Sequence, residues 1–311
     1  MKRARIGRAR KSAKSGASVS GLQSIVGTDL PLKWKSMGHP TMMDRKQEAT
    51  GAMRPCASRL FPWYDSQWLT RYVEAKAIIR AARPEAVESF VSAFGILWTR
   101  PDFEARLFER LFDDATLARI RRAVSSLRPD ELELHEARRF GRYVVHGHPL
   151  FTELQRSLEP LVGEAVGEPV EASYSFLSLY GAMGVCPVHI DAPIAKWTLD
   201  LCVDQTRPWP IHYSRVLHWP DLECGDWRGD WEESVRRAPE NRFTAHSMHP
   251  GEALVFSGSS QWHYRDALPD AKARDHCDLL FFHFIPKGAG ELACPANWAR
   301  LFGMPELAAL S

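Results

Sequence analysis

The stretch Ser173-Tyr-Ser-Phe-Leu-Ser-Leu-Tyr180 marks the point where the sequence changes character. Tyr174, Phe176 and Tyr180 are separated by even numbers of residues, so they share one side of an extended segment. Upstream of this stretch apolar residues recur at three- and four-residue steps, whereas downstream they form short runs separated by turn signals. The pattern therefore predicts a change from helix to strand near residue 168.

Several short strand candidates follow, with no helical periodicity between them. They are Trp197–Val203, Ile211–Val216, Ala253–Phe256, Gln261–Arg265 and Leu279–Ile285. Strands in this arrangement are typical of a sandwich or barrel rather than of a parallel sheet. We predict such a domain over residues 169–288, followed by a C-terminal helical tail over residues 289–311.

The upstream pattern predicts a helical subdomain over residues 61–168. Trp68 and Tyr72 fall on one face of its first helix, and a last helix is predicted from residue 149 to 166. Pro101 opens another helix, since proline is tolerated in a first turn. That helix is predicted to carry Leu107, Phe108, Leu111 and Phe112.

Residues 1–60 differ from the rest in charge. Seven basic residues precede the first acid, Asp29, and Gly, Ser and Pro are scattered among the residues that follow. This composition predicts a disordered basic tail. A nucleic-acid arm, an organelle transit segment and a later translation start all remain open as explanations of the tail.

The overall composition is that of an ordinary globular protein, with 45% hydrophobic residues, 25% charged residues and a net charge of +2. No run approaches the roughly 18 apolar residues that a membrane span needs, so we expect no membrane partner. The basic N-terminus is not followed by the apolar segment of a secretory signal. The six cysteines form no C-x-x-C pair, so we expect reduced thiols and a cytoplasmic setting.

A candidate metal site begins with His189-Ile190-Asp191. Residues two apart in an extended segment point to the same side, so the imidazole and the carboxylate can converge on one ion. His263 offers a third ligand, and two histidines with one carboxylate leave three positions of an iron open for O2 chemistry. The alternative is that His189 and Asp191 cap a turn while His263 is a buried histidine satisfied by the backbone.

Other histidines and a tryptophan-rich segment leave further alternatives. The pair His146-Gly-His148 precedes a helix start, and His246 and His249 lie just before a turn, so we regard both groups as weaker metal candidates. The segment from His218 to Trp231 carries three tryptophans among acidic residues. It is either a loop that closes over substrate or a segment that packs on the helical subdomain.

Three blocks around the candidate ligands resemble the double-stranded β-helix Fe(II)/2-oxoglutarate-dependent dioxygenases, and within them the prolyl-4-hydroxylase-like branch. The first block leads into His189 and Asp191, the second ends shortly before His263, and the third is an aromatic closing strand. The blocks are Tyr180-Gly-Ala-Met-Gly184, Pro250-Gly-Glu-Ala-Leu-Val-Phe-Ser-Gly258 and Leu279-Leu-Phe-Phe-His-Phe-Ile-Pro286. The resemblance extends from Phe176 to Pro286, which is a little over a third of the chain.

The resemblance implies an α+β protein, with a double-stranded β-helix (jelly-roll) core and an N-terminal helical subdomain. It also implies that His189, Asp191 and His263 are the catalytic ligands of Fe(II), with 2-oxoglutarate as co-substrate and O2 as oxidant. The implied reaction is hydroxylation, or another oxidation, of an unactivated C–H bond with release of succinate and CO2. The expected substrate is a small molecule or an amino-acid side chain, free or in a peptide, and nucleic acid is not expected.

The family usually holds the distal carboxylate of 2-oxoglutarate with a basic residue nine to eleven positions after the last histidine. Arg274 is the first candidate and Lys272 also falls in this window, although both fit a solvated hairpin turn. Alignment on the aromatic closing strand places His276 at that position instead. Arg265 should share the face of the last histidine, and Tyr180 either lines the co-substrate pocket or is a buried strand residue.

Two other classes of function stay open at this point. A non-catalytic β-helix protein could keep the fold as a binding or sensor module. A cupin-type metalloenzyme could use the metal without 2-oxoglutarate, although such sites often have a second histidine where Asp191 stands.

Overall fold

The computed structural model describes residues 60–221 and 227–310, which belong to one compact unit. The tail predicted over residues 1–60 lies outside the described residues apart from Leu60. The described α-helices are α1 Gln67–Ala82, α2 Val87–Ala93, α3 Asp114–Ser125, α4 Ala137–Phe140, α5 Pro149–Ser157, α6 Glu159–Val166, α7 Trp231–Arg237 and α8 Trp298–Leu301.

Ten strands in the same residues form two sheets. They are β1 Arg106–Phe108, β2 Arg142–His146, β3 Val170–Tyr180, β4 Cys186–His189, β5 Trp197–Gln205, β6 Ile211–Tyr213, β7 Thr244–His246, β8 Ala253–Ser257, β9 His263–Arg265 and β10 Cys277–Pro286. The six-stranded sheet has the order β1-β8-β5-β10-β3-β2, and the four-stranded sheet has the order β4-β9-β6-β7.

Strands β3 to β10 wind between these two sheets. Strands β3, β5, β8 and β10 lie in the larger sheet, whereas β4, β6, β7 and β9 lie in the smaller one. Every strand pairing among the described residues is antiparallel. This arrangement is an eight-stranded jelly roll, or double-stranded β-helix. The α+β class and the jelly-roll core predicted from the sequence are therefore confirmed.

Strand β10 separates two apolar layers by the alternation of its side chains. Leu280, Phe282 and Phe284 face outward and pack in one cluster with residues of α3, α5 and α6. Cys277 and Leu279 belong instead to a cluster that contains residues of both sheets and fills one end of the barrel.

Two strands lie within residues 61–168, which were expected to be helical. The helix predicted after Pro101 is wrong at Arg106–Phe108, which forms β1 and pairs with β8. Arg142–His146 forms β2 and pairs with β3. An open sheet edge has unpaired backbone N–H and C=O groups, and pairing them outweighs the helical spacing of the local apolar residues.

The last upstream helix is divided in two. A single helix was predicted over residues 149–166, but α5 ends at Ser157 and α6 begins at Glu159. Pro160 has no N–H to donate to the preceding turn, and its ring crowds the carbonyl four residues earlier. The proline therefore accounts for the break.

The C-terminal segment contains α8 between 3₁₀ turns at Pro295–Asn297 and Pro305–Leu310. Its buried residues Trp298 and Leu307 join the apolar cluster that also contains Trp68 of α1. None of the helices in the described part of the chain is long and apolar enough to cross a membrane.

The outward face of β10 should carry much of the stability of the fold. Phe282 is fully buried, so Phe282→Ala should reduce the free energy of unfolding by about 3–5 kcal/mol in urea denaturation. Tyr143, on β2 of the same sheet, is 44% exposed, and Tyr143→Ala should cost below about 1 kcal/mol. Equal losses for the two variants would show that this face is not the core.

Candidate metal site

The pairing of β4 with β9 brings the two candidate histidines together. His189 is the last residue of β4 and His263 is the first of β9, and the two are direct partners in the antiparallel register. Partners in a register project from the same face of a sheet. Their imidazole centroids lie 4.1 Å apart.

Hydrogen bonds fix the same orientation for both rings. Nδ1 of His189 lies 2.9 Å from the carbonyl oxygen of Pro187, and Nδ1 of His263 lies 2.9 Å from that of Gln261. A carbonyl only accepts, so each Nδ1 carries a proton, and each Nε2 is the ring nitrogen left for Asp191 or a metal. The two Nε2 atoms lie 3.5 Å and 3.7 Å from Oδ1 of Asp191.

The Asp191 carboxylate is held by its neighbours. Its backbone N–H donates to the carbonyl of Gly258 at 2.8 Å, and the Thr198 hydroxyl donates to Oδ2 at 3.1 Å. Oδ1 is thus the oxygen that faces the histidines, while Oδ2 faces the protein.

The electrostatics favour the metal-binding protonation state for His263 and Asp191 but not for His189. Burial lowers the pKa of His189, but Cys186 and Asp191 raise it well above its usual value, so a metal would have to displace a proton from this ring. Burial and the neighbouring His189 lower the pKa of His263 to about 4, so this ring is neutral at pH 7. Burial opposes ionisation of Asp191, but the two imidazoles hold the pKa of its carboxyl well below the usual range. A neutral imidazole and a carboxylate are the forms that bind metal.

The three side chains fit a divalent metal. One ligand atom from each lies within 4.8 Å of the others, and this is the group of metal-binding residues found in the described part of the chain. Two imidazole nitrogens and one carboxylate oxygen on one side of an ion are the donor set of non-haem Fe(II) sites with open positions. The alternative of turn caps and a satisfied core histidine does not account for two Nε2 atoms directed at one carboxylate oxygen.

Four rings form a wall next to these residues. Tyr174 stacks on His283 at 4.2 Å between centroids, and Phe176 stacks on Phe281 at 4.9 Å. They belong to β3 and β10, on the faces that point into the barrel. Thr198, which holds Asp191, is the register partner of His283, so the wall borders the metal site.

A second group of polar residues lies deeper in the barrel, around Tyr180. Arg265, two residues after His263, is paired with Asp200 at 2.6 Å, and the exposures of the two side chains are 4% and 0%. A second guanidinium nitrogen of Arg265 donates to the carbonyl of Trp209. Tyr180 packs edge-on against Trp209.

Arg142 approaches Tyr180 from the other side, and sequence reasoning missed it. Its Nη1 donates to the hydroxyl oxygen of Tyr180 at 2.6 Å and to that of Ser178 at 3.2 Å, while Nε donates to Glu136 at 2.5 Å. The sequence signal was available, because Arg142 opens a β-branched run after Gly141, which has a positive φ. Predicting β2 there would have placed Arg142 beside β3.

Cys186 connects the two groups. Its Sγ lies 4.0 Å from Nδ1 of His189. Burial disfavours the thiolate, but His189, Arg142 and Arg265 together lower the pKa of the Cys186 thiol. The region between the histidines and Tyr180 is therefore positively polarised.

The remaining co-substrate candidates lie elsewhere. Arg274 and Lys272 are exposed and His276 is half-buried, all in the connection before β10. That connection joins β10 at Cys277, the register partner of Tyr180, but Nε2 of His276 lies 3.7 Å from Oδ2 of Asp204, and neighbouring residues of a strand point to opposite faces. The structure does not bring these three side chains to the metal ligands.

The other histidines and the tryptophans also have defined surroundings. His146 pairs with Glu133 at 2.9 Å, and His148 stacks on Phe151. The tryptophans of the segment 218–231 pack against the upstream residues: Trp219 contacts Trp68, and Trp227 and Trp231 contact Trp63. Residues 222–226 of that segment lie outside the described part.

No protein-family model and no curated protein matches the chain. Among solved structures, HygX from Streptomyces hygroscopicus with nickel and 2-oxoglutarate bound is 10% identical, covering 64% of this chain and 87% of HygX, with a TM-score of 0.45. A Pseudomonas putida prolyl-4-hydroxylase is 12% identical, and the match covers 65% of this chain and 99% of the hydroxylase with a TM-score of 0.41. EctD from S. alaskensis with 2-oxoglutarate and 5-hydroxyectoine is 13% identical, and the match covers 58% of this chain and 71% of EctD with a TM-score of 0.40.

These similar structures are of the kind that the sequence blocks resemble, and a prolyl-4-hydroxylase is among them. With TM-scores below 0.5, the likeness carries no argument about this chain. Its fold and site rest on its own strand order and contacts.

The buried pair of Arg265 and Asp200 leads to a stability prediction. Asp200→Ala should reduce the free energy of unfolding by about 3–5 kcal/mol, because it leaves a guanidinium buried without its counter-ion. The double variant Asp200→Leu/Arg265→Met should recover most of that loss in urea denaturation. Asp130→Ala, which removes an exposed pair with Arg128, is the control and should cost below about 1 kcal/mol. A loss for Asp200→Ala as small as the control would contradict the ion pair.

Proposed function

We propose that the protein is an Fe(II)- and 2-oxoglutarate-dependent oxygenase of the prolyl-4-hydroxylase-like kind. The observation that carries the proposal is the convergence of Nε2 of His189, Nε2 of His263 and Oδ1 of Asp191. These residues would hold Fe(II), which when bound supplies the activation of O2 that the protein's own side chains cannot perform. Asp191 completes the ligand set, which favours hydroxylation or a related oxidation.

The co-substrate would lie between the metal ligands and Tyr180. A dicarboxylate needs a cationic partner for its distal carboxylate, and both Arg142 and Arg265 direct guanidinium nitrogens to the surroundings of Tyr180. Arg265 uses two of its nitrogens for Asp200 and the Trp209 carbonyl. We therefore assign it a structural role with a share in the positive field.

Arg142 is the better anchor of the two. Its side chain is 11% exposed, compared with 4% for Arg265. Its Nη2 makes no hydrogen bond to the described residues, whereas Nε and Nη1 are fixed by Glu136, Ser178 and Tyr180. A fixed guanidinium with one free nitrogen can donate to a carboxylate, and the Tyr180 hydroxyl can add a second donor.

The substrate class remains the one inferred from the sequence: a small molecule or an amino-acid side chain. In the similar structures the bound molecules are of this size, hygromycin B in HygX and 5-hydroxyectoine in EctD. A binding module of the same fold would not need all three ligands, and a cupin-type enzyme would not need a cationic pocket beyond them.

Spectroscopy and product analysis separate these functions. Adding 2-oxoglutarate to the anaerobic Fe(II) protein should produce a visible charge-transfer band, and admitting air should produce succinate. His263→Ala should abolish both signals because it removes a ligand, and His276→Ala, which lies at the other end of β10, should change neither. A wild-type protein that binds Fe(II) but gives neither band nor succinate would refute the proposal.

The anchor is tested by Arg142→Leu. The 2-oxoglutarate concentration for half-maximal turnover should rise about 100-fold, since a charge-assisted contact contributes about 2–3 kcal/mol. Fe(II) affinity should stay unchanged, because Arg142 does not contact the ligands. Arg274→Leu is the matched control and should leave the concentration dependence unaltered. An effect of Arg274→Leu with none for Arg142→Leu would reverse the assignment.

A further inference from the structure

Gly258 lies where the chain leaves β8, directly against the Asp191 carboxylate. A Cβ built on Gly258 would stand 2.2 Å from Oδ2 of Asp191, 2.4 Å from Oγ1 of Thr198 and 2.7 Å from the carbonyl oxygen of Ala195. Real Cβ atoms essentially never come within 3.0 Å of such neighbours. No side chain therefore fits at this position as the site is built.

The glycine is not required by its backbone conformation. Gly258 is not among the residues with positive φ, so an alanine could adopt the same backbone angles. The turn it belongs to is closed by backbone bonds from Ser260 and Gln261 to the carbonyl of Ser257, which any residue at 258 would allow. What excludes a side chain is the space occupied by the carboxylate and its partner.

That space decides which oxygen faces the metal position. Oδ1 of Asp191 lies 3.5 Å and 3.7 Å from the two imidazole Nε2 atoms, whereas Oδ2 is directed at Gly258 and receives the Thr198 hydroxyl. The backbone of Gly258 also accepts the N–H of Asp191 at 2.8 Å. The Gly258 carbonyl thus accepts the Asp191 N–H, and the absence of a side chain at Gly258 leaves the space that Oδ2 occupies.

An added methyl group would press on all three neighbours, and Oδ2 of Asp191, at the shortest distance, would have to move furthest. The Ala195 oxygen belongs to the backbone, and Thr198 is 2% exposed inside β5, so neither has free space nearby. Ordinary contact begins at 3.4 Å, so Oδ2 would have to retreat by about 1 Å. Metal–ligand distances tolerate only about 0.2 Å.

We propose that Gly258 is a positioning residue of the metal site, which orients Asp191 so that Oδ1 alone is presented to the metal. The inference rests on the metal site of the proposed function but not on 2-oxoglutarate. Gly258 would orient Asp191 as the carbonyls of Pro187 and Gln261 orient the two histidines.

The test is metal binding by Gly258→Ala, with Co(II) as the probe and calorimetry as the readout. Affinity for Co(II) should fall about 10- to 100-fold, as is typical when a group that orients a ligand is changed. Gly95→Ala is the matched control, because a Cβ at Gly95 meets nothing within 4 Å, and its affinity should equal that of the wild type. Thr198→Val, which removes the donor to Oδ2, should also weaken binding.

A double variant separates positioning from a general packing defect. In the metal-free protein, the fall in melting temperature caused by Gly258→Ala should shrink in the Asp191→Ala background. If Gly258→Ala does not fold, the triple variant Asp191→Ala/Thr198→Ala/Gly258→Ala, which also removes the Thr198 hydroxyl, should fold. An undiminished fall, or a triple variant that also fails to fold, would overturn the proposal.

The binding results test the role of Gly258 and the metal site separately. Wild-type affinity in a folded Gly258→Ala protein would overturn the role of Gly258 and leave the metal site standing. A wild-type protein that does not bind Co(II) would refute the metal site and the role of Gly258 together.

Discussion

The antiparallel pairing of β4 with β9 is the constraint on which the site depends. It makes His189 and His263 register partners, and the two-residue step from His189 brings Asp191 to the same ion. A shift of one residue in this register would turn one imidazole to the opposite face of the sheet. The jelly roll holds the register because β9 is fixed on its other side by β6. The strand register of the fold therefore determines the geometry of the candidate metal site.

The interior behind the metal ligands is built around charge. Arg142 and Arg265 enter from β2 and β9, and each is paired with a buried carboxylate, Glu136 and Asp200 respectively. Buried charges persist only when they are paired or bind something. These two pairs hold both guanidinium groups around Tyr180, where we propose that the distal carboxylate of 2-oxoglutarate binds.

The sequence predicted the parts of this structure that depend on local pattern. The alternation in Ser173–Tyr180 predicted β3, and the His-x-Asp spacing predicted two of the residues that converge at the candidate metal site, because both follow from the geometry of an extended chain. The run Arg142–His146 carried a local signal for a strand, but its pairing with β3 could not be predicted in the same way, since that pairing joins residues thirty or more positions apart. Arg142 was missed for that reason. Arg274 was chosen by its distance from His263, and a count along the chain does not show that its side chain is exposed in the connection before β10.

The central claim is that His189, Asp191 and His263 bind one metal ion. Anomalous diffraction from crystals grown with Ni(II) tests it most directly. The account predicts one strong peak about 2.0–2.2 Å from Nε2 of both histidines and from a single oxygen of Asp191. A peak at other residues, or none at this triad under saturating Ni(II), would contradict it.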